Sequence, residues 1–183
     1  MHARGIVVLA RLEYIKHHHA KQLEAVLATL SPAERAVIVA TLPVSKIPMP
    51  IYVHFNDAIA KVCAPNDPDG IFIAMGRASA EQNLREHQNG FLRVGDPHFV
   101  LAATPRLHRF YIDSGRVEYA KLAATTAQIR MIDLDTVSVG DCLTNKGWFG
   151  RAVELSGGNN VRVQHTRCRT REDDACVFTC QWT

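Results

Sequence analysis

The chain has 183 residues, of which 47% are hydrophobic and 21% are charged, and its formal net charge is +3. This balance provides enough apolar side chains for a packed core and excludes a disordered chain. The basic residues form no block or stripe, which argues against a nucleic-acid-binding protein, and no apolar run approaches the roughly 20 residues of a membrane helix.

The apolar run near the N-terminus, from Ile6 to Ala10, is too short for a signal peptide, so we expect a cytoplasmic protein. In a reducing compartment the five cysteines are expected to remain thiols or to bind a metal. The triplet His17-His-His19 lies in a helical context, where consecutive side chains point in different directions. We therefore interpret it as a solvated face.

Helices dominate the predictions for the first part of the chain. Gly5 to Ala10 favours a short strand that leads into a helix, and Lys21–Leu30 has apolar side chains at helical spacing. Ser31-Pro-Ala-Glu34 is a capping box, which predicts a helix to about Thr41. The three prolines of Pro43 to Pro50 predict a loop.

Further helices are predicted over Ile51–Cys63, over Ile71–His87, and from two starts at Asp96-Pro97 and Thr104-Pro105. The helix from Ile71 has small or modest polar side chains on one face, which lets another backbone come close. This face either packs on a neighbouring helix of the same chain or forms the seam of a homodimer. Its residues are Gly76, Ser79, Ala80 and Asn83.

The pattern changes to strands after the turn at Asp113-Ser-Gly115. Runs of helices followed by antiparallel strands are typical of the α+β class. We predict a single domain over 1–183, in which a helical portion (1–113) packs on an antiparallel strand–strand–helix–strand–strand portion (114–183). Its elements are predicted at Val117–Ala123, Ala127–Ile132, a helix capped at Ser138 and ending near Ser156, Val161–His165 and Ala175–Trp182.

Four side chains of metal-ligand type lie in the last quarter of the chain, at Cys142, His165, Cys168 and Cys176. This set is typical of a tetrahedral Cys₃His zinc site. Cys142 falls in the first turn of a predicted helix, where free N–H groups favour a thiolate. With four protein ligands and no open position, the site would be structural rather than catalytic. The alternative is three ordinary buried cysteines and a histidine satisfied by hydrogen bonds.

The other two cysteines are predicted to lie outside this site. Cys180 shares a strand face with Cys176 but follows it by four residues, roughly 13 Å along a strand. One ion could not easily bind both. We interpret Cys180 and Cys63 as small buried hydrophobes.

Several motifs run through most of the chain, from Gly5-Ile-Val-Val-Leu9 and Ser79-Ala-Glu-Gln-Asn83 to the last strand. The later ones are Arg106-Leu-His-Arg-Phe-Tyr-Ile-Asp-Ser-Gly115, Gly147-Trp148, Glu154-Leu-Ser-Gly157, Val161-Arg-Val163 with His165-Thr-Arg-Cys168, and Asp174-Ala-Cys-Val-Phe178. Together they resemble an uncharacterised myxobacterial family of similar length. That family has no established activity, so the resemblance implies no function.

The C-terminal half also resembles the 4-vinyl reductase-like domain, whose fold is shared with TRAPP transport-particle subunits and haem nitric-oxide-binding domains. In aromatic-sensing transcriptional activators this domain holds zinc with a cysteine at a helix, an acidic residue and two cysteines on a hairpin. The resemblance implies that Cys142, Cys168 and Cys176 are zinc ligands. His165 replaces the acidic residue, and histidine is an equally good zinc ligand.

The resemblance gives less support for a sensing role or for haem in this chain. The chain has no ATPase or DNA-binding segment, and no residue matches an aromatic-binding pocket. The segment Tyr111-Ile-Asp-Ser-Gly-Arg116 is one residue out of register with the Tyr-x-Ser-x-Arg signature of haem sensors. We interpret it as a turn that ends a helix, and haem is not expected.

Three functions compete. The first is a non-catalytic small-molecule-binding or sensory module, expected to be a homodimer, with structural zinc and an apolar pocket for a small apolar or aromatic ligand. The second is a protein-interaction scaffold without a pocket, and a cavity in the structure would favour the first over the second. The third, a metal-dependent enzyme, is favoured least because His54, His98 and His108 are isolated and no nucleophile pattern accompanies them. The candidate pocket residues, which also fit an ordinary core, are Phe55, Met75, Phe91, Phe99, Tyr111 and Trp148.

Overall fold

The computed structural model describes residues 1–87, 89–134 and 138–183, and within these the side chains of all but residues 86, 87 and 89. The helices are α1 (Gly5–His18), α2 (Leu23–Ala28), α3 (Pro32–Val39), α4 (Met49–Cys63), α5 (Pro68–Gln82), α6 (Pro97–Ala102), α7 (Thr104–Tyr111) and α8 (Val139–Leu155). The strands are β1 (His2–Arg4), β2 (Lys46–Pro48), β3 (Arg116–Ala123), β4 (Thr126–Ile132), β5 (Arg162–Arg167) and β6 (Ala175–Gln181). A π-helical turn, Asn83–His87, extends α5.

Two predictions near the N-terminus are wrong. Gly5 to Ala10 is the first part of α1, because the apolar run continues at helical spacing and buries Val8 and Ile15 completely. The strand lies just before it, where β1 pairs antiparallel with β2. The segment Pro43 to Pro50 is therefore only partly a loop.

The helix starts predicted at Ser31 and at Asp96 are confirmed by their hydrogen bonds. Ser31 Oγ accepts the Glu34 N–H at 3.3 Å, and a Glu34 carboxylate oxygen accepts the Ser31 N–H at 2.9 Å. The Asp96 carboxylate accepts the Phe99 N–H at the start of α6. Helix α5 begins at Pro68, earlier than the predicted Ile71, and the Asp67 carboxylate caps it by accepting the Gly70 N–H. These caps satisfy N–H groups that have no partner within the helix.

The small-residue face of α5 packs on α8 of the same chain. Gly76 lies so close that an added Cβ would collide with the carbonyl oxygen of Thr144, and a Cβ on Gly147 of α8 would collide with the carbonyl oxygen of Ile73. The sequence left open whether this face packs within the chain or forms a dimer seam. The structure shows that it packs within the chain, so the face is not a dimer seam.

The C-terminal portion is a four-stranded antiparallel sheet in the order β3-β4-β6-β5. Helix α8 follows β4 in the chain and packs on the sheet, where Phe149 contacts Phe178 edge to face. The fold class is thus α+β with a helical N-terminal half, as predicted. None of the described helices combines the length and apolar character needed to cross a lipid bilayer.

Candidate metal cluster and ligand cavity

The four predicted metal ligands come together at one point. The ligand atoms of Cys142, His165, Cys168 and Cys176 all lie within 4.8 Å of one another. Cys142 Sγ is 3.7 Å from the Sγ atoms of both Cys168 and Cys176. A tetrahedron with Zn–S bonds of about 2.3 Å has sulfur atoms about 3.8 Å apart. The two distances from Cys142 Sγ are therefore those expected between sulfur ligands of one tetrahedral zinc ion.

Each ligand owes its position to local structure. Ser138 caps α8 by accepting the Asp141 N–H at 3.0 Å, which places Cys142 in the first turn. His165 on β5 stacks on Phe178 of β6, with ring centroids 4.3 Å apart and an interplanar angle of 7°. Between these strands the bend is closed by a hydrogen bond from the Cys168 N–H to an Asp173 carboxylate oxygen at 2.7 Å.

The electrostatics of the cluster favour a bound cation. Cys176 Sγ accepts hydrogen bonds from Cys142 and from the Arg169 N–H, and together with nearby His165 they hold the pKa of Cys176 below its usual value. The same pairing and burial raise the pKa of Cys142. His165 Nε2 is buried without a hydrogen-bond partner among the described residues. A metal ion would use both the thiolate and this nitrogen.

The remaining cysteines lie outside the cluster, as predicted. Cys180 is fully buried in the sheet, and burial raises its pKa to about 12, so it remains a neutral thiol. Cys63 is near the C-terminus of α4 and is only partly buried, so its interpretation as a buried hydrophobe is correct only in part.

A cavity of about 140 Å³ lies between the helical half and the sheet. Cys142 and Cys176 form part of its wall, so the cavity borders the cluster directly. Other wall residues come from α1, α4, α5, α7, α8 and the first two strands of the sheet. The apolar ones include Leu107, Val117, Met131, Leu134 and Phe149, and the polar ones include Arg11, Tyr52, Ser79, Asn83, His108 and Asp141.

Only two of the six candidate pocket residues, Tyr111 and Trp148, line this cavity. Three of the other four, Phe55, Met75 and Phe91, belong to the ordinary packing that was the alternative for all six. Phe55 and Met75 are fully buried in the N-terminal core. Phe91 packs against the C-terminal core, and the ring of Phe99 lies 4.1 Å from the Arg93 guanidinium carbon.

The polar end of the cavity was missed at the level of sequence. Arg11 is only 1% exposed, and its guanidinium donates hydrogen bonds to Asn56, Ser79, Tyr52 and the carbonyl of Met75. A single charged side chain within the apolar run from Ile6 to Leu12 was the signal that could have found it, because a fully buried arginine needs partners.

Two titratable groups face this polar end. Burial lowers the pKa of His108, and this effect outweighs the hydrogen bond from Nε2 to the Ser114 carbonyl at 2.9 Å, which raises the pKa. His108 is therefore neutral and donates its Nε2 hydrogen to that carbonyl. Burial raises the pKa of Asp141 to about 6.

Comparisons with known proteins identify the fold alone. No protein-family model matches the chain, and no curated protein matches its sequence. Among solved structures, it is similar to an H-NOX protein from S. oneidensis in the Fe(II)NO state, with a TM-score of 0.76 and 11% identity over 98% of this chain and 99% of that chain. An Fe(II) unliganded H-NOX protein from K. algicida has a TM-score of 0.73 and 7% identity, covering 98% of this chain and 96% of that one.

Another solved structure with this fold concerns heme distortion in the H-NOX family, so we tested whether the cavity fits heme. A cavity of roughly 150 Å³ holds benzene, and pockets for drug-sized ligands start at about 300 Å³. A porphyrin is several times larger than benzene, and the cavity has only about 140 Å³. His108, the one histidine among its wall residues within the described chain, already uses Nε2 for the Ser114 carbonyl. The residues present therefore do not fit heme.

Proposed function

We propose that this chain is a non-catalytic small-molecule-binding or sensory module whose C-terminal hairpin is held by a structural zinc ion. The observation that carries the proposal is the cavity whose wall contains Cys142 and Cys176. A ligand in the cavity would lie against the metal cluster, so binding could be reported through the hairpin.

The donor set supports zinc over other metals. Three sulfur atoms and one imidazole nitrogen in a tetrahedral arrangement suit Zn²⁺, and carboxylate-free sites of this kind do not suit Mg²⁺ or Ca²⁺. Cys142, His165, Cys168 and Cys176 would together supply all four ligand atoms. A closed site of this kind is structural, because no position is left for a reacting water. The resemblance to the 4-vinyl reductase-like domain supports the same ligand set.

Metal analysis of the purified protein tests the zinc site. We expect about one zinc per chain, and we expect Cys168→Ser to lose both zinc and thermal stability, because metal binding is coupled to folding. Cys63→Ser is the matched control, since Cys63 lies outside the cluster and is partly exposed, and it should keep its zinc. Wild-type protein that is folded and free of metal would refute the site.

The scaffold alternative and the homodimer have a separate observation in their favour. Val39, Leu42 and Val44 are 63%, 63% and 75% exposed and lie close together in the sequence. Exposed apolar side chains in one segment are typical of an interaction surface. Light scattering after size-exclusion chromatography tests the homodimer, which we expect Val44→Asp to dissociate. A monomeric wild-type protein would contradict the homodimer. The cytoplasmic location, like the homodimer, remains a prediction.

A further inference from the structure

The cavity contains a buried cation whose hydrogen-bond acceptors are all uncharged. Arg11 donates to Asn56 Oδ1 at 3.2 Å, to Tyr52 Oη at 3.0 Å, and to the Ser79 hydroxyl and Met75 carbonyl. Among the ion pairs of the described residues, none involves Arg11. A guanidinium has five N–H groups, and these four bonds leave one N–H on Nη2 without an acceptor among the described residues.

Two acceptors in the same wall lack hydrogen-bond partners. Asn83 is 2% exposed, and its Oδ1 atom is buried without a partner among the described residues. The Oδ2 atom of Asp141 is also buried and, within the described chain, has no donor. Both residues line the cavity together with Arg11. Buried polar atoms without a partner cost free energy, so each favours a ligand that can donate a hydrogen bond.

A hydroxyl group matches this combination of free groups. It has one hydrogen to donate and two lone pairs to accept, so it can satisfy an orphan acceptor and the free Arg11 N–H together. A carboxylate has no hydrogen for Asn83 or Asp141. A hydrocarbon leaves both acceptors unpaired.

The rest of the wall limits the body of the ligand. Leu107, Val117 and Met131 give the cavity an apolar side. Its volume of about 140 Å³ is close to that of a cavity that takes one benzene ring. A ligand contained within this volume is therefore small, and the part that contacts this side is apolar.

We propose that the cavity binds one uncharged molecule of about the size of benzene through a single hydroxyl group, which donates to Asn83 or Asp141 and accepts from Arg11. This inference rests on the proposed small-molecule-binding function and specifies the chemical class of its ligand.

The test compares phenol with toluene, which has the same shape but a methyl group in place of the hydroxyl. Binding of each to the full-length, metal-loaded protein is measured by calorimetry or ligand-observed NMR. We expect phenol to bind roughly tenfold more tightly, because toluene leaves a buried acceptor unpaired. Asn83→Ala or Asp141→Ala, whichever removes the acceptor in use, should abolish this preference.

Leu107→Ala is the matched control, because it enlarges the cavity without removing a polar atom. It should keep the preference for phenol. If an alanine variant fails to fold, the comparison of the two probes on the wild type still decides the matter. Equal or tighter binding of toluene overturns the hydroxyl assignment but leaves the proposed binding function intact. A preference for phenol that survives in both folded alanine variants has the same consequence. No binding of either probe overturns both.

Discussion

His165 has two roles that can be separated by substitution. Its ring stacks on Phe178, while its Nε2 atom is buried and has no partner in the described part of the chain. Only the second role requires a metal-binding atom. A side chain that restores a ligand without restoring the ring therefore tests the metal site alone.

We predict that His165→Glu keeps zinc, whereas His165→Ala weakens zinc binding by roughly 100-fold or more, beyond the loss typical of outer-shell changes. A glutamate oxygen is an accepted zinc ligand, and alanine offers no ligand atom. Competition with a chromogenic chelator measures both affinities. Equal affinities of the two variants would contradict a ligand role for His165.

At the scale of the element, the start of α3 is stabilised by a charged group. The carboxylate of Glu34 accepts hydrogen bonds from His54 Nδ1 at 2.9 Å and from the Ser31 hydroxyl and N–H. The hydrogen bond from His54, followed by those from Ser31, lowers the pKa of Glu34 from 4.5 to about 2. The folded state therefore favours the ionised carboxylate.

This pKa predicts the direction of a pH effect. A carboxylate whose folded-state pKa is depressed stabilises the fold above its unfolded pKa, and this contribution is lost as the pH falls through the folded value. The free energy of unfolding should thus fall between pH 4.5 and 2, and less steeply in Glu34→Gln. Urea denaturation at several pH values measures both slopes. Any loss of metal at low pH affects both proteins equally, because Glu34→Gln leaves the metal cluster unchanged. The difference between the two slopes therefore reports on Glu34. Identical slopes would exclude Glu34 as the source.

The close packing of α5 on α8 gives a second prediction at this scale. Gly147→Ala should lower the free energy of unfolding by roughly 1–3 kcal/mol, because its Cβ would collide with the Ile73 carbonyl and the helices would have to separate. Gly150→Ala on the same helix is the control. Its Cβ would lie 3.6 Å from the nearest heavy atom, a Val163 methyl carbon, so higher helix propensity should raise stability by up to about 1 kcal/mol. Equal effects in thermal or urea unfolding would contradict the packing.

Elements with local signals were predictable from the sequence. The capping residues Ser31, Asp96 and Ser138 mark helix starts through hydrogen bonds made within three residues. Strand β1 was missed because three residues provide no alternation to detect. It exists through pairing with β2, more than forty positions away.

At the scale of the whole molecule, the grouping of the four metal-ligand residues and the existence of a pocket were predictable, but most residues of the pocket wall were not. Spacing and strand alternation place Cys168, His165 and Cys176 together, since a hairpin is a local structure. The pocket wall brings Arg11 of α1 beside Asp141 of α8, and no sequence period connects positions so far apart. Aromatic residues were therefore a poor guide, and Phe55 and Phe99 proved to lie elsewhere.

The small cavity predicts the behaviour of the whole chain toward heme. Purified protein should show no Soret absorption, and added hemin should produce no saturable, stoichiometric spectral change, although the fold is that of H-NOX structures. His108→Ala should behave like the wild type in this titration. A one-to-one heme complex that depends on His108 would show that the cavity opens far beyond its volume of about 140 Å³.

The shared wall of cavity and cluster has a thermodynamic consequence. Cys142 and Cys176 are parts of both, so a guest in the cavity and an ion at the cluster act on the same two side chains. If the guest changes the affinity for the ion by some factor, the ion must change the affinity for the guest by that same factor. The metal affinity measured by chelator competition should then change when a cavity ligand is added. The ligand affinity should change by the same factor when the metal is removed.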